Sequence, residues 1–261
     1  MVTLSELLAF FESVAPKALA EDYDNVGLLV EGETDKIDTL VLALDADEHT
    51  VCEVEKAGAQ LILTHHPIMF RPVNKLTEEE GGQRTIRRLL QKGIGLFAMH
   101  TNFDSAEGGL CDAFLDAFGD FTERTSFVGT ADGIGRIGKL DAPCTLSDLL
   151  VRGKKAFSPE NEICYVGNPD SVVETVAVCN GGGGDMLYDA YSLGAQVYIS
   201  GDFKHHHARF AVENNISLIQ IDHYDAEVGF CNLMKKRLET AFGDKLTVLI
   251  AEGETSPWKR F

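Results

Sequence analysis

The sequence predicts an α/β protein built from two similar lobes, and three observations support this prediction. Short apolar runs typical of buried strands alternate with helical patterns, which favours parallel sheets joined by crossovers. The segment 56–64 has a close counterpart at 192–200. Histidines and acidic residues directly follow several predicted strands, and the carboxyl ends of strands are where open α/β sheets bind ligands.

Composition narrows the class of protein further. The 261 residues include 44% hydrophobic and 25% charged residues, which is typical of a globular protein. With 23 basic against 41 acidic residues and a net charge of -18, we do not expect nucleic acid as a partner, since phosphate backbones need basic surfaces. No basic leader or apolar run of roughly 18 residues is present, so we expect a cytoplasmic protein that does not enter a membrane.

The six cysteines are scattered and form no C-x-x-C pair. The sequence therefore signals neither a thiolate zinc site nor a redox dithiol, and we expect reduced thiols.

Hydrophobic spacing and end signals predict the elements of the first half. Thr3 and Glu6 fit a capping box for a first helix, which Pro16 ends. The next predicted elements are strand Thr39–Leu44, helix Glu48–Lys56, strand Leu61–Thr64, helix Arg84–Gln91, strand Ile94–Met99 and helix Leu110–Phe118, with Gly119 following the last helix.

The final third repeats the first in order, which chance rarely produces. The corresponding segments are Val41–Leu44 with Val176–Cys179, Leu61–Thr64 with Val197–Ser200, Ile94–Phe97 with Ile216–Ile219, and Leu110–Phe118 with Phe230–Phe242. We therefore predict a first lobe at 1–125, a connector at 126–170 and a second lobe at 171–261. The connector carries a strand pattern at Ile134–Leu140, a helix at Leu146–Val151, and turn signals at Ser158-Pro159 and Asn168-Pro169.

Candidate metal ligands lie at the ends of the predicted strands. His65 and His66 end one strand, His100-x-x-x-Asp104 follows the next, and His223-x-x-x-Glu227 occupies the corresponding place in the second half. If a pseudo-twofold axis relates the halves, these side chains face one cleft, with His100 as a possible additional ligand. Imidazoles and carboxylates in this number exceed the needs of one tetrahedral ion and suit two divalent ions: zinc, iron, manganese or nickel. The alternative is a set of unrelated capping or surface histidines.

Two further motifs have two interpretations each. Successive side chains among His205, His206 and His207 point about 100° apart on a helix, so they cannot all bind one ion. His206 is a candidate proton shuttle or supporting group for the cleft. The loop Asn180–Asp185 could cradle an anion or form a tight strand-to-helix turn, and it lacks the lysine and spacing of a P-loop.

Several motifs together resemble the NIF-three-like family, whose members are named GTP cyclohydrolase I type 2 homologues. They are Asp24–Leu28, Thr64–Pro67, His100–Asp104, Cys179–Gly183, Gly201–Lys204 and His223–Glu227, in order and nearly end to end. The resemblance implies a two-lobed α/β fold, a dinuclear metal site in the cleft between lobes, and a toroidal homohexamer. The implied metal ligands are His65, His66, Asp104, His223 and Glu227, with Glu227 as the bridge.

This chain departs from the resemblance at two places. Ala226 stands where many relatives carry a threonine before the glutamate. We expect Asp225 or water to replace the hydrogen bond of that hydroxyl, which affects the fine tuning of the site and not metal binding itself. The connector is also too short for the central insert of longer relatives.

We name Glu227, His100 and His206 as candidate catalytic residues of a metal-dependent hydrolase. Its expected substrate is a small nucleotide-like or phosphate-bearing molecule. The alternative function is a non-enzymatic metal-binding assembly or interaction module.

Overall fold

A computed structural model describes residues 1–157 and 162–259. The described strands are β1 (Val2–Thr3), β2 (Gly27–Val30), β3 (Lys36–Ile37), β4 (Thr39–Ala43), β5 (Leu61–Thr64), β6 (Gly95–Ala98), β7 (Phe121–Thr125), β8 (Arg136–Thr145), β9 (Cys164–Val166), β10 (Val172–Val178), β11 (Val197–Ser200), β12 (Ser217–Gln220) and β13 (Thr247–Ile250). The turn predicted at Ser158-Pro159 lies outside the described residues.

The helices alternate with these strands along the chain. They are α1 (Leu4–Val14), α2 (Glu48–Ala57), α3 (Gly81–Lys92), α4 (Thr101–Ser105), α5 (Leu110–Asp116), α6 (Leu146–Phe157), α7 (Leu187–Ser192), α8 (His205–Asn214), α9 (His223–Glu227) and α10 (Gly229–Phe242). Short 3₁₀ turns occur at Lys17–Leu19, Gly183–Met186 and Gly243–Lys245. Among the described residues, no helix combines the length and apolar character that crossing a lipid bilayer requires.

The chain folds into two compact units, and the first is discontinuous. Unit 1 contains Met1–Phe103 and Val228–Phe261, while unit 2 contains Asp104–Glu227. The main sheet of unit 1 has the strand order β13-β4-β5-β6-β2. Its first four strands are parallel and β2 is antiparallel to β6. The C-terminal strand β13 thus completes the sheet begun by the N-terminal segment.

The sheet of unit 2 has the order β7-β8-β10-β11-β12-β9. Its central strands β10, β11 and β12 are parallel, whereas β7, β8 and β9 pair antiparallel at its flanks. Apolar side chains cover the sheet in both units, because parallel strands are buried on both faces. Examples are Val41, Ile62 and Leu96 in unit 1, and Val176 and Ile199 in unit 2.

These units have different bounds from the predicted lobes at 1–125, 126–170 and 171–261. The segment expected to be a connector supplies β8 and β9, which pair with β10 and β12 and so belong to the sheet of unit 2. The segment after residue 227 leaves unit 2 because β13 pairs with β4. Mixed α/β architecture is confirmed, with sheets and helices alternating as predicted.

Local end signals explain several element bounds. The predicted capping box is present: the Thr3 side chain accepts the Glu6 N–H, and the Glu6 carboxylate accepts the Thr3 N–H. Helix α5 ends at Asp116, two residues before the predicted end at Phe118. The Phe118 N–H donates to the Leu115 carbonyl three residues back, so the last turn tightens into 3₁₀ geometry.

Candidate metal centre

In unit 1, the double histidine sits at a rigid strand end. Strand β5 stops at Thr64, and the backbone N–H groups of His65 and His66 continue the ladder to the Ala43 and Leu44 carbonyls at 3.3 and 3.0 Å. The Thr64 hydroxyl donates to the His66 carbonyl at 2.9 Å. Hydrogen bonds therefore fix the backbone that carries both imidazoles.

Acceptors on neighbouring segments select the tautomer of each imidazole. Nδ1 of His65 lies 2.8 Å from the Met99 carbonyl oxygen, and Nδ1 of His66 lies 3.0 Å from Oδ1 of Asp45. Because these partners only accept, Nδ1 carries the proton of the neutral ring and the lone pair resides on Nε2. Metal-binding histidines in proteins are held in this way.

His100 completes the histidine group of unit 1. Its Nδ1 lies 2.9 Å from Oδ1 of Asp24, whose second oxygen accepts the Thr101 N–H at 3.0 Å. Burial raises the pKa of Asp24, but hydrogen bonds from His100 and Thr101 outweigh it and lower the pKa to about 2. Ligand nitrogens of His65, His66 and His100 all lie within 4.8 Å of one another.

In unit 2, helix α9 presents an imidazole and a carboxylate one turn apart. His223 and Glu227 are at positions i and i+4, and Nε2 of His223 lies 2.9 Å from Oε2 of Glu227. Nδ1 of His223 lies 2.8 Å from Oδ2 of Asp202. Burial lowers the pKa of His223, but the hydrogen bonds and charges of Glu227 and Asp202 outweigh it and raise the pKa to about 9.

Asp202 adopts a backbone conformation that most residues avoid. Its φ is 53°, in the left-handed region that aspartate tolerates better than most side chains. The preceding Gly201 is tightly enclosed, since a Cβ there would lie 2.5 Å from the Gly181 carbonyl oxygen. This backbone geometry places the Asp202 carboxylate against His223.

The second candidate carboxylate of unit 2, Asp104, is buried beside an asparagine. Nδ2 of Asn180 donates to Oδ1 of Asp104 at 2.9 Å and to Oε1 of Glu227 at 3.3 Å. Oδ1 of Asn180 accepts from the Cys111 thiol at 2.9 Å. Asp104, Glu227 and His223 thus belong to one hydrogen-bonded network in unit 2.

The glycine loop packs directly against this network. Gly181 has φ +60°, and a Cβ at this position would lie 1.8 Å from Oε1 of Glu227. The loop therefore needs glycine at this position both for its backbone conformation and for the space that the Glu227 carboxylate occupies. Close packing of loop and carboxylate favours the tight-turn interpretation over an anion cradle.

The three consecutive histidines lie at the start of α8 and have unequal environments. His207 is buried, whereas His205 and His206 are exposed. Nδ1 of His207 accepts the Lys204 N–H at 3.1 Å, so its Nε2 carries the proton and donates to Asp185 at 3.1 Å. Asp185, His206 and His207 approach one another closely enough for a metal site, but in this tautomer His207 is a donor. The role of His206 stays a prediction.

Four residues that support the candidate ligands were not named as site residues from the sequence. Asp24, Asp45 and Asp202 each accept from a histidine Nδ1, and Asn180 donates to two carboxylates. The signal for three of them was present in the motifs Asp24–Leu28, Gly201–Lys204 and Cys179–Gly183. Asp45 stands outside those motifs, and only the pairing of β4 with β5 brings it next to His66.

The donor set fits divalent metal ions within each unit. Unit 1 offers the imidazoles of His65, His66 and His100, while unit 2 offers the His223 imidazole and the carboxylates of Asp104 and Glu227. Nitrogen and oxygen donors of this kind suit zinc, iron, manganese and nickel alike.

Comparison with known proteins places the chain in a family. Residues 2–257 match the family described as Duf34/NIF3 (NGG1p interacting factor 3). A Clostridium perfringens protein named GTP cyclohydrolase 1 type 2 homolog is 33% identical over 244 residues, covering 91% of this chain and 93% of that protein. The NIF3 homolog of Schizosaccharomyces pombe is 28% identical, covering 97% and 96% of the two chains.

Solved structures show the same fold. A Bacillus cereus protein related to NIF3 superposes with a TM-score of 0.86 at 20% identity, covering 99% of both chains. Reduced HcgD from Methanocaldococcus jannaschii superposes with a TM-score of 0.84 at 27% identity, covering 96% of this chain and 98% of that one. The protein therefore belongs to the Duf34/NIF3 family.

Proposed function

We propose that this protein is a metal-dependent hydrolase that binds two divalent metal ions through His65, His66, Asp104, His223 and Glu227. The observation that carries the proposal is the shared orientation of its imidazoles. His65, His66 and His223 each direct Nδ1 to an acceptor, the arrangement that orients histidines which bind metal through Nε2. Relatives named GTP cyclohydrolase 1 type 2 homolog support a hydrolytic reaction.

The proposed ligands come from both units, and a separate observation within each unit supports them. In unit 1, backbone hydrogen bonds hold His65 and His66 at the end of β5. In unit 2, Glu227 contacts both His223 and Asn180, which leaves it suited to act as a bridging carboxylate. We propose in addition that the two units are internal repeats and that their strand ends face one cleft.

Bound divalent ions would activate a water molecule and stabilise negative charge that develops on the substrate. Side chains of the protein determine where protons are bound near the site. The pKa of His223, about 9 in the metal-free protein, means that this imidazole must release a proton before Nε2 can bind an ion. Asp202 then keeps the remaining proton on Nδ1. His100, held by Asp24, is the candidate for moving a proton to or from the substrate, with His206 as the second candidate.

The proposed substrate is a small nucleotide-like or phosphate-bearing molecule. The net charge of -18 repels anions, so the metal ions would supply the positive charge that such a substrate needs. We propose in addition that the chain assembles as a homohexamer, which mass measurement in solution would test.

Metal content and turnover test the function together. Protein purified without chelator is analysed for bound metal, then assayed with nucleotides, phosphoesters and amides in the presence of zinc, iron, manganese or nickel. We expect metal-dependent turnover that the double variant His66→Ala, Glu227→Ala abolishes. A matched control, His49→Ala with Glu31→Ala, replaces an exposed histidine and an exposed glutamate and retains turnover.

Two outcomes contradict the proposal in different ways. Turnover that survives in the His66→Ala, Glu227→Ala variant means that catalysis does not use this site. Stoichiometric metal binding without turnover of any of these substrate classes supports the alternative, a non-enzymatic metal-binding or interaction protein.

A further inference from the structure

We propose that Asn180 is a positioning residue that fixes the carboxylates of Asp104 and Glu227 for metal binding, and that the Cys111 thiol fixes Asn180 in turn. The inference rests on the proposed function, because it assigns a role to a residue next to the proposed ligands. It begins with the location of Asn180, which follows β10 at the start of the glycine loop and is 4% exposed.

The first argument is the direction of the hydrogen bonds. Two anionic side chains, Asp104 and Glu227, accept from the same amide nitrogen of Asn180 at 2.9 and 3.3 Å. An amide carries two N–H donors on one nitrogen, so both donors are directed to carboxylates. Reversing the amide would place its oxygen against two negative charges, which excludes the other orientation.

The second argument is electrostatic. Asp104 and Glu227 are 5% and 3% exposed, and two buried carboxylates repel each other strongly when nothing intervenes. The neutral donor Asn180 lies against both and offsets part of this repulsion without adding a charge. Because Asn180 carries no charge, it does not compete with a cation for these carboxylates, as a basic side chain in the same place would.

The third argument concerns what holds the amide itself. Oδ1 of Asn180 accepts from Sγ of Cys111 at 2.9 Å. A neighbouring thiol, Cys179, also stays protonated, since its hydrogen bond with Cys111, burial, and the charges of Asp104 and Glu227 all raise its pKa. The buried thiols thus act as neutral support behind Asn180, and their role is orientation of the amide.

Cobalt binding tests the positioning role without relying on turnover. Co²⁺ serves as the probe, and two properties are measured: its dissociation constant, by competition with a coloured chelator, and its visible absorption spectrum. The variant Asn180→Leu, of similar size, removes the two N–H donors without adding a charge. We expect about 10- to 100-fold weaker Co²⁺ binding and a changed spectrum. The matched control Asn168→Leu makes the same change at an exposed position of unit 2 and leaves both properties unchanged.

A graded pair of variants tests the support from Cys111. Cys111→Ser retains a donor to Asn180 and is expected to bind Co²⁺ nearly as tightly as wild type, whereas Cys111→Ala is expected to bind severalfold more weakly. If Asn180→Leu does not fold, Asn180→Ala, which is small and has no donor, takes its place in the same measurements.

The outcomes separate this inference from the proposed function. Wild-type protein that binds no Co²⁺ overturns both. Wild-type binding together with an Asn180→Leu dissociation constant within about twofold, and an identical spectrum, overturns the positioning role alone. Lower thermal stability with an unchanged spectrum assigns Asn180 a purely structural role and overturns the inference as well.

Discussion

Each unit holds one histidine against one aspartate where two adjacent parallel strands end. In unit 1, strand β5 ends in an imidazole, His66, and the loop after the neighbouring strand β4 supplies its carboxylate partner, Asp45. In unit 2, the aspartate Asp202 follows strand β11, and the segment after the neighbouring strand β12 supplies its imidazole partner, His223.

The comparison shows what the arrangement requires. Each pair joins the ends of two adjacent parallel strands, and in each pair the acceptor meets Nδ1 of the histidine. In both units the aspartate follows the earlier strand and the histidine follows the next strand, 21 residues further along the chain. The units differ in what lies nearby: further imidazoles, His65 and His100, in unit 1, and further carboxylates, Asp104 and Glu227, in unit 2.

Replacing the central carboxylate of unit 2 gives the largest expected effect. Glu227→Gln keeps the shape of the side chain but removes the charge that faces His223 at 2.9 Å. We expect at least about 100-fold weaker metal binding, the upper end of effects on such sites, measured by calorimetric titration. Glu213→Gln, a matched change at an exposed ion pair with Arg209, leaves binding unchanged. Equal binding by both variants would show that unit 2 contributes no metal ligand through Glu227.

The glycine loop gives the next largest effect, on stability. Gly181→Ala adds a Cβ that would lie 1.8 Å from the Glu227 carboxylate, at φ +60°, so both overlap and backbone strain oppose folding. We expect unfolding free energy to fall by about 3 kcal/mol. The control Gly194→Ala has φ +85° and open space around it, and we expect a loss of about 1 kcal/mol. Similar losses in urea unfolding would mean that Glu227 moves away without cost.

A pH-dependent effect on stability is expected in unit 1. The pKa of Asp24 is lowered to about 2 in the folded protein, against about 3.9 in an unfolded chain. The ionised carboxylate therefore stabilises the fold above pH 4, and this contribution disappears as the pH falls from about 4 towards 2. Allowing for partial solvation, Asp24→Asn should cost about 1 to 2 kcal/mol at pH 7.

Urea unfolding of wild type and Asp24→Asn at several pH values checks this prediction. The difference between the two proteins should be constant at neutral pH and vanish near pH 2. A difference that persists at pH 2 would assign it to lost hydrogen bonding and not to charge.

The two histidine–aspartate pairs at the strand ends give the smallest expected effect. Asp45→Asn and Asp202→Asn each weaken the hold on one histidine, and both aspartates are more than half exposed. We expect about tenfold weaker metal binding for each. In metal-free protein, Asp202→Asn should also lower the pKa of His223 from about 9, which NMR titration of the imidazole would measure. An unchanged pKa would contradict the role of Asp202.

The sequence predicted the elements of the fold well because their signals are local. The spacing of apolar residues located β5 and α10 within one residue, and Thr3 with Glu6 identified the cap of α1. The bounds of the units are harder to predict from the sequence. The pairing of β13 with β4 joins residues about 200 positions apart, and no local pattern encodes such a contact.

The candidate site was predictable only in part for the same reason. Histidines that follow apolar runs are easy to recognise in a sequence, and the sequence predicts each of them after a strand. Their acceptors are ordinary aspartates among 41 acidic residues, and only strand pairing identifies which ones contact an imidazole. The sequence identifies Asn180 as the start of a glycine loop, whereas its contacts with Asp104 and Glu227 depend on tertiary structure.

The discontinuity of unit 1 has a consequence for synthesis on the ribosome. Unit 2 is continuous in sequence, whereas the sheet of unit 1 is complete only after β13 has been synthesised. The ring of Phe230, 5.2 Å from that of His65, and the Glu254 carboxylate, which accepts the Leu44 and Asp45 N–H groups, arrive with this last segment. His65 and His66 therefore gain these surroundings only after all of unit 2 has been synthesised.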